Sequence, residues 1–243
     1  MYIWQVANWP DFHYQIDKLK PGLKSLLALQ KDLLGEAQRL PEGLDREAEM
    51  DALIQNALQT SEIEGEKLNI SSVRSSVAKQ LGIEQAGIAQ GIPAQVTRQT
   101  ENLVAMLCAA TRELGKPLNQ SQLCDWQAAL FPEPPITKQL LIGDLRGQAP
   151  MQVVSRKGGR EIVHFVAPPR DKLKPELDTF ITWFNTSETH AEQGVLRAAI
   201  AHLWLITLHP FDDGNGRVAR ALTDRALAQS EQKSVRFYSL SSA

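Results

Sequence analysis

Residues 209–220 of the chain read HPFDDGNGRVAR, and this stretch decides how the rest of the sequence is interpreted. Pro210 ends an apolar helical segment, and Gly214 and Gly216 permit backbone conformations that other residues rarely adopt. A new helix is predicted to begin directly after them, so successive backbone N–H groups converge at its N-terminus, where the helix dipole favours negative charge. The stretch therefore predicts an anion-binding loop between two helices.

Four side chains in or beside this loop suit a phosphate-containing ligand. Arg217 and Arg220 lie three positions apart on one face of the first helical turn, where two guanidinium groups can bind phosphate oxygens. Asp213 supplies a hard oxygen for Mg²⁺, which binds through one or two carboxylates plus substrate phosphates. His209 has a pKa suited to a general base near neutral pH. Taken singly, each has a plainer explanation as a turn, a packed side chain or a solvated charge, but their combination favours a site.

Composition limits the classes of protein to be considered. The chain has 243 residues, of which 43% are hydrophobic and 22% charged, as in ordinary globular proteins. Its formal net charge of −2 argues against nucleic acid as a partner held by bulk electrostatics. No secretory signal is visible, and no apolar stretch reaches the roughly 18 residues that a membrane span needs. Cys108 and Cys124 lie in apolar helical contexts, so we expect buried thiols in a cytoplasmic protein with no membrane partner.

Helical periodicity covers most of the chain. The segment 191–208 is apolar on more than one face, which predicts a central, buried helix. One β-hairpin is predicted at 151–166, where two β-prone runs flank a turn-rich segment. The fold class is therefore all-α with one hairpin. The predicted helices cover 15–40 with a break at Pro21-Gly22, 46–61, 71–80, 95–114, a segment capped by Asn119, 173–185, 191–208 and 216–229, and a connector is predicted at 82–91.

The constrained positions of residues 209–220, HPFxDGNGRxxR, resemble the signature of the Fic family. Upstream, GDLR at 143–146 and the pair Pro168-Pro169 resemble the flap region of that family. The tryptophan-rich residues 2–12 resemble the N-terminal extension of one bacterial Fic subgroup. The resemblance covers nearly the whole chain and implies a Fic-type helical bundle with one β-hairpin flap.

The resemblance also implies a domain organisation and an activity. Residues 1–95 would form an N-terminal helical region that contains an inhibitory helix, and residues 96–243 would form the catalytic core. The protein would be an adenylyltransferase (AMPylator), which uses ATP and Mg²⁺ to transfer AMP to a Ser, Thr or Tyr hydroxyl of a target protein. The hairpin at 151–166 would pair with a segment of that target by β-augmentation, unless it is a lid that contributes only to folding.

Roles for the loop residues are implied by the same resemblance. His209 would take the proton from the incoming hydroxyl, and Asp213 would hold Mg²⁺ between the α- and β-phosphates. Such roles fit the reaction, because phosphoryl-type transfer depends mainly on positioning and charge stabilisation. The phosphate ligands would be Asn215 for the α-phosphate, Arg217 and Arg220 for the β- and γ-phosphates, and the backbone amides from Gly214 to Gly216 for the leaving pyrophosphate.

The sequence TSEIEG at residues 60–65 resembles the inhibitory motif of the family. Thr60 and Glu64 lie one turn apart on one helix face, and Gly65 is suited to end the helix. A carboxylate at position 64 would pair with Arg220, occupy the γ-phosphate position and leave ATP only an unproductive pose. The alternative is a solvated acidic helix end. Acidic groups near a helix C-terminus oppose the helix dipole, so local helix stability does not explain this cluster.

Other readings of the same site remain open. The reaction could be removal of AMP, or transfer of another phosphate-containing group, although Arg217 argues against kinase-like variants that lack it. A different class is a regulatory module that binds nucleotide without turnover. Some relatives continue into a C-terminal winged-helix segment, and because this chain stops at Ala243, DNA binding is unsupported. A homodimer is a possible assembly.

Overall fold

The computed structural model describes residues 1–41, 43–83, 96–133, 140–189, 191–233, 237–238 and 241. Within these residues the chain forms eight α-helices and one two-stranded antiparallel sheet, which confirms the predicted fold class. The strands are β1 (Gln152–Lys157) and β2 (Arg160–Val166). The helices are α1 (Ile16–Ala37), α2 (Leu44–Ile63), α3 (Ile70–Leu81), α4 (Arg98–Arg112), α5 (Gln120–Ala129), α6 (Arg170–Thr186), α7 (Ala191–Leu208) and α8 (Asn215–Glu231).

Helix α8 forms the centre of the bundle, and α7, α4, α5 and α2 pack around it. Almost all of its side chains from Asn215 to Ala228 are buried, although the helix carries several charged residues. The sequence predicted α7 as the central helix. That helix does bury Trp204 and Leu205, but Leu203 is 46% exposed, so the prediction of burial on every face was wrong. Helix α1, which packs against α7, likewise has no buried residue.

Most predicted helix boundaries hold to within a few residues. The Asn119 side chain accepts a hydrogen bond from the Gln122 N–H at 2.8 Å, so the predicted N-cap of α5 is confirmed. The predicted break at Pro21 was wrong, because α1 continues through it. Pro21 removes one backbone hydrogen bond, and on this exposed helix water can bind the released carbonyl oxygen. The predicted connector at 82–91 and the domain boundary after residue 95 fall mostly at residues 84–95, outside the described residues.

Two buried arginines fix helix ends to the centre of the bundle. Arg225 of α8 donates to the carbonyl oxygens of Glu113 and Lys116 at 3.0 and 2.5 Å, just after α4. Arg197 of α7 donates to the Phe184 carbonyl oxygen at 2.6 Å, near the end of α6. The last carbonyl groups of a helix have no partner within it, so these guanidinium groups satisfy them and hold α4 and α6 in place.

The N-terminal residues pack over α7 and the base of the hairpin. Trp9 and Phe12 make edge-to-face and tilted ring contacts with Trp204 of α7, at centroid distances of 5.8 and 5.4 Å. The Trp4 indole N–H donates to the Val166 carbonyl oxygen at 2.7 Å, at the last residue of β2. The N-terminal segment therefore contacts the hairpin that the sequence analysis placed in a different domain.

Two expectations from composition concern single features. Cys108 and Cys124 are buried and unbridged, as their apolar contexts predicted. Burial raises the pKa of the Cys108 thiol to about 11, so it stays protonated and unreactive at neutral pH. Among the helices of the described residues, none is long and apolar enough to cross a membrane.

Candidate active site

Residues 209–217 fold into a closed loop between α7 and α8. Phe211 is completely buried and anchors the loop. The Asn215 side chain accepts a hydrogen bond from the Phe211 N–H at 3.0 Å and donates to its carbonyl oxygen at 2.8 Å. Gly214 has φ +87°, and a Cβ there would lie only 3.0 Å from a methyl group of Leu130. Both its backbone conformation and its surroundings therefore require glycine.

The loop leads directly into α8, so its end coincides with a helix N-terminus. The Gly214 N–H donates to Asp213 Oδ1 at 2.7 Å, and the Val218 N–H is the first to bond back to the loop, at the Gly214 carbonyl oxygen. The N–H groups of residues 215–217 precede the first intrahelical bonds, which makes them available to an anion. The predicted contact of Asn215 with an α-phosphate would come from its backbone N–H, because its side chain is engaged by Phe211.

The hydrogen bonding of His209 defines its tautomer. Its Nδ1 lies 3.2 Å from the Ile206 carbonyl oxygen, which can only accept, so Nδ1 carries the proton. Nε2 is then the nitrogen that can take up a proton. Burial lowers the pKa of this imidazole and the positive charge of Arg146 lowers it further, although the Ile206 hydrogen bond and Asp213 act in the opposite direction. His209 is therefore neutral near pH 7, as a general base must be.

Arg146 holds the histidine end of the loop in place. This side chain is only 1% exposed. Its Nε donates to the His209 carbonyl oxygen at 2.8 Å and its Nη2 to the Pro168 carbonyl oxygen at 2.5 Å. Its backbone N–H also donates to the Pro210 carbonyl oxygen at 2.9 Å. Arg146 was predicted only as part of the segment that resembles the flap region, because the sequence does not show which carbonyl groups a buried arginine will bind.

Glu64 contacts Arg220, the partner that the inhibitory-motif resemblance implied for it, and Thr60, for which no partner was predicted, contacts Arg220 as well. Arg220 Nη2 donates to Glu64 Oε1 at 2.6 Å, and Arg220 Nε donates to the Thr60 hydroxyl at 2.7 Å. The Thr60 carbonyl oxygen accepts a third hydrogen bond from Nη2 at 3.0 Å. The Glu64 carboxylate also lies directly over Gly216, where a Cβ would collide with Oε1. It therefore occupies the N-terminal end of α8, beside the backbone N–H groups.

A second carboxylate, which the sequence analysis did not assign to the site, reaches the other arginine. Arg217 Nη1 donates to both Glu66 oxygens, each at 3.1 Å. The sequence analysis treated the glutamates around residue 64 together as a solvated alternative. The structure separates them by contact, since Glu64 and Glu66 each pair with an arginine of α8, at 2.6 and 3.1 Å, and no such ion pair of Glu62 is found among the described residues.

The turn after α2 explains how both carboxylates face α8. Gly65 has φ +79°, the left-handed conformation that commonly ends a helix. The Glu66 N–H bonds to the Ser61 carbonyl oxygen at 2.9 Å and the Gly65 N–H to the Glu62 carbonyl oxygen at 2.9 Å, the paired hydrogen bonds of a Schellman motif. Gly65 therefore ends the helix as predicted, and the turn fixes the spacing between the two acidic side chains.

The fold and the site define a class of protein: a helical bundle whose central helix begins at a glycine-containing loop next to a neutral histidine. A family model described as Fic/DOC family matches residues 117–227 of the chain. A second model, described as a domain of unknown function (DUF4172), matches residues 2–83. Residues 117–227, which include the loop, are therefore a Fic/DOC domain.

Proteins named as nucleotide transferases are similar to parts of the chain. Protein adenylyltransferase Fic of Culex quinquefasciatus is 26% identical over 201 residues, which is 82% of this chain and 36% of that protein. Protein adenylyltransferase fic-1 of Caenorhabditis briggsae is 44% identical over 65 residues, 27% of this chain and 12% of that protein. A uridine 5'-monophosphate transferase of Xanthomonas campestris is 33% identical over 120 residues, 47% of this chain and 22% of that protein. The chain thus spans little more than a third of these relatives at most.

Solved Fic structures share the fold. Fic-1 from C. elegans superposes with a TM-score of 0.58 at 21% identity, over 88% of this chain and 60% of that chain. A Fic domain containing signaling protein from Bacteroides thetaiotaomicron superposes with a TM-score of 0.60 at 17% identity, over 84% of this chain and 72% of that chain. At these identities the likeness concerns the fold alone.

Proposed function

We propose that this chain is a protein adenylyltransferase that transfers AMP from ATP to a Ser, Thr or Tyr hydroxyl of a target protein. The observation that carries the proposal is the position of a neutral His209 at the end of a loop that opens into the N-terminus of α8. A general base beside an anion-binding helix end combines the two functions that nucleotidyl transfer requires. The names of the relatives from Culex and Caenorhabditis support the same reaction.

In the proposed reaction the target hydroxyl oxygen attacks the α-phosphorus of ATP. The bond from that phosphorus to the β-phosphate bridging oxygen breaks, and pyrophosphate leaves. Nε2 of His209 takes the hydroxyl proton, since Nδ1 already carries one. Backbone N–H groups of residues 215–217, with Arg217 and Arg220, bind the phosphates and the charge that grows on the leaving group, whereas the Gly214 N–H already donates to Asp213.

Asp213 is the residue that would hold Mg²⁺ in this reaction. Its Oδ1 accepts the Gly214 N–H, which orients the carboxylate at the start of α8. Among the described residues, no group of three or more His, Cys, Asp or Glu side chains is placed to hold a metal. A single carboxylate fits Mg²⁺ that arrives with a nucleotide, because this ion keeps its waters and binds substrate phosphates. When bound, it would neutralise phosphate charge.

We further propose that Glu64 inhibits the enzyme. Its carboxylate takes a guanidinium donor of Arg220 and covers the α8 N-terminus over Gly216. A γ-phosphate needs the same donors, so ATP must displace Glu64 before it can bind with all its phosphates in place. Thr60 supports this resting arrangement by accepting two hydrogen bonds from Arg220.

The hairpin is the proposed docking site of the target protein. Each of its strands pairs only with the other among the described residues, so each leaves one edge for a further strand. The apolar side chains of Val153, Val154, Ile162 and Val163 are all exposed. A target segment that adds to one edge would gain main-chain hydrogen bonds and be held in register near His209.

Labelled-ATP incorporation by the purified chain tests the proposal. Glu64→Gly is expected to raise AMP incorporation into the chain itself about tenfold or more, because it removes a charge-assisted hydrogen bond that competes with ATP. Adding His209→Ala should lower that incorporation by about 10²-fold or more, the usual contribution of a general base. Glu62→Gln removes an exposed charge from the same turn and serves as the control.

Absence of incorporation in the Glu64→Gly variant, or undiminished incorporation without His209, would contradict the proposed reaction. The relative from Xanthomonas, named a uridine 5'-monophosphate transferase, makes UMP transfer the second candidate, so labelled UTP is supplied in parallel. Release of AMP from a previously modified target would identify the reverse activity. Nucleotide binding without either reaction would identify a regulatory module.

A further inference from the structure

Both arginines of the anion site are occupied by carboxylates in this structure, and not only the one that Glu64 reaches. Glu66 receives two hydrogen bonds from Nη1 of Arg217, whose side chain is only 5% exposed. Arg217 also lies over the ring of Phe131, with its guanidinium carbon 5.4 Å from the ring centroid. Phe131 borders the loop, since its ring would be 3.2 Å from a Cβ at Gly214. Glu66 therefore contacts an arginine that borders the phosphate-binding loop.

Glu66 is held in this position from two sides. Its N–H is fixed to the Ser61 carbonyl oxygen by the turn after α2. Its Oε2 accepts a hydrogen bond from Gln99 Nε2 of α4 at 3.0 Å. A carboxylate that is positioned by separate elements loses less side-chain entropy when it pairs with an arginine than a free surface glutamate would.

A purely structural ion pair is the alternative explanation. The Nε–H of Arg217 is buried and has no hydrogen-bond partner among the described residues. Glu66 thus provides acceptors for only some of the N–H donors of Arg217. An unpartnered buried donor does not by itself decide between the two explanations, because Arg146, Arg197 and Arg225 each have one as well and bind backbone carbonyl groups. Arg217 differs from those arginines in its position, because it borders the loop and shares a face of α8 with Arg220, where a polyphosphate can bind the donors that Glu66 leaves unused.

We propose that Glu66 is a second inhibitory carboxylate, which occupies the phosphate-binding donors of Arg217 while Glu64 occupies those of Arg220. This inference rests on the proposed nucleotide site. The two acidic residues flank Gly65 in one turn, and the two arginines share one face of α8, so the pairs form as a unit. When ATP displaces one carboxylate, the other stays tethered at high effective concentration. Loss of Glu64 alone therefore releases only part of the inhibition.

Nucleotide affinity measured by isothermal titration calorimetry tests the inference separately from catalysis. Wild type, Glu64→Gln, Glu66→Gln and the double variant are titrated with MgATP and with AMP. Adding Glu66→Gln to the Glu64→Gln variant should tighten MgATP binding about tenfold, the worth of a charge-assisted hydrogen bond. The affinity for AMP should not change, because AMP lacks the β- and γ-phosphates. Glu62→Gln is the matched control for the change in charge.

A second variant acts on Glu66 without altering it. Gln99→Met removes the hydrogen bond that positions the carboxylate. Gln99→Met should raise the affinity for MgATP, as Glu66→Gln does but by a smaller factor. It should leave the affinity for AMP unchanged.

An unchanged or weaker MgATP affinity on adding Glu66→Gln, in both the wild-type and the Glu64→Gln background, would show that Glu66 is only a structural partner of Arg217. AMP incorporation is followed in the same proteins. If the Glu64 variants bind MgATP but transfer no AMP, the proposed reaction fails while the calorimetry still decides the role of Glu66.

Discussion

The hydrogen bonds around His209 fix both its backbone conformation and its tautomer. His209 has φ +49°, a conformation that costs a residue other than glycine about 1–3 kcal/mol. Hydrogen bonds on both sides offset this cost, because its N–H donates to the Leu205 carbonyl oxygen at 3.0 Å and its carbonyl oxygen accepts from Arg146. The backbone is thereby fixed, and the ring is held as the Nδ1–H tautomer by Ile206.

The protonation of His209 gives a prediction at the residue scale. Burial lowers its pKa below the ordinary value of about 6.5. In the Glu64→Gly variant, kcat/KM for AMP transfer should therefore be constant above about pH 6.5 and fall about tenfold per pH unit only below the lowered pKa. The Glu64 carboxylate raises the pKa of His209, so its removal should shift the imidazole titration to lower pH. Imidazole ¹⁵N NMR of both proteins measures the pKa and the tautomer.

The spectra are assigned by the loss of one imidazole signal in His209→Ala. The lowered pKa of His209 also determines how the stability of the fold depends on pH. A native pKa below the unfolded value stabilises the fold fully above about pH 6.5, and this contribution is lost as the pH falls through the native pKa. A His209 pKa above 6.5, or a proton on Nε2 in the neutral ring, would contradict the assigned base.

At the scale of elements, the way in which α2 ends determines where the side chains of Glu64 and Glu66 lie. The left-handed residue Gly65 reverses the chain, so that the glutamates on either side of it both face α8. A helix end with a different backbone conformation would direct the following residues away from Arg217 and Arg220. The contacts of Glu64 and Glu66 with the two arginines therefore depend on one backbone conformation as much as on the acidic side chains.

Gly65→Ala tests that dependence. A Cβ at Gly65 meets no atom within 4 Å, so the cost of about 1–2 kcal/mol arises from the positive φ alone. We expect a lower melting temperature together with higher AMP incorporation, because relaxation of the turn displaces Glu64. Gly82→Ala is the matched control, since Gly82 ends α3 with φ +67° and equally open space. It should lower the melting temperature to a similar extent without raising incorporation, and an equal rise in both variants would refute the prediction.

At the scale of the whole molecule, the N-terminal region contacts both the loop that leads into α8 and the hairpin. The region matched by the family of unknown function supplies Glu64 and Glu66 at one side of the site and the Trp4 contact to the hairpin at another. Buried Asn56 of α2 also donates to Asp224 of α8 at 2.8 Å. A perturbation of the N-terminal region can therefore reach both the phosphate site and the hairpin.

Trp4→Phe tests the connection to the hairpin. The substitution removes the indole donor to the Val166 carbonyl oxygen, which contributes about 1 kcal/mol. Amide hydrogen exchange of residues 160–166 should become about fivefold faster, whereas exchange in α8 should be unchanged. Tyr14→Phe, at a residue that is 48% exposed in the same region, is the control. Unchanged exchange in β2 would show that Trp4 does not restrain the hairpin.

The sequence by itself determined the local features of this protein. Glycine and proline positions predicted the loop at 209–217, capping residues such as Asn119 predicted helix starts, and two β-prone runs around a turn-rich segment predicted the hairpin. These features are encoded by neighbouring residues, whose backbone preferences act over a few positions. The Fic resemblance extended the prediction to the contact between Glu64 and Arg220, because it implies that the inhibitory motif at residues 60–65 lies against the signature at residues 209–220.

Only the tertiary structure decided which charged residues are buried and what they contact. Hydrophobic periodicity favoured α7 as the central helix, yet the core surrounds α8, where Arg217, Arg220 and Arg225 each find acceptors on distant segments. Hydropathy counts a charge as exposed, but a charge can be buried when its hydrogen bonds are satisfied. Glu66 and Arg146 were missed for the same reason, since their partners lie 151 and 63 positions away in the chain. The loop that opened the sequence analysis depends on such partners for its geometry and for its resting, carboxylate-occupied state.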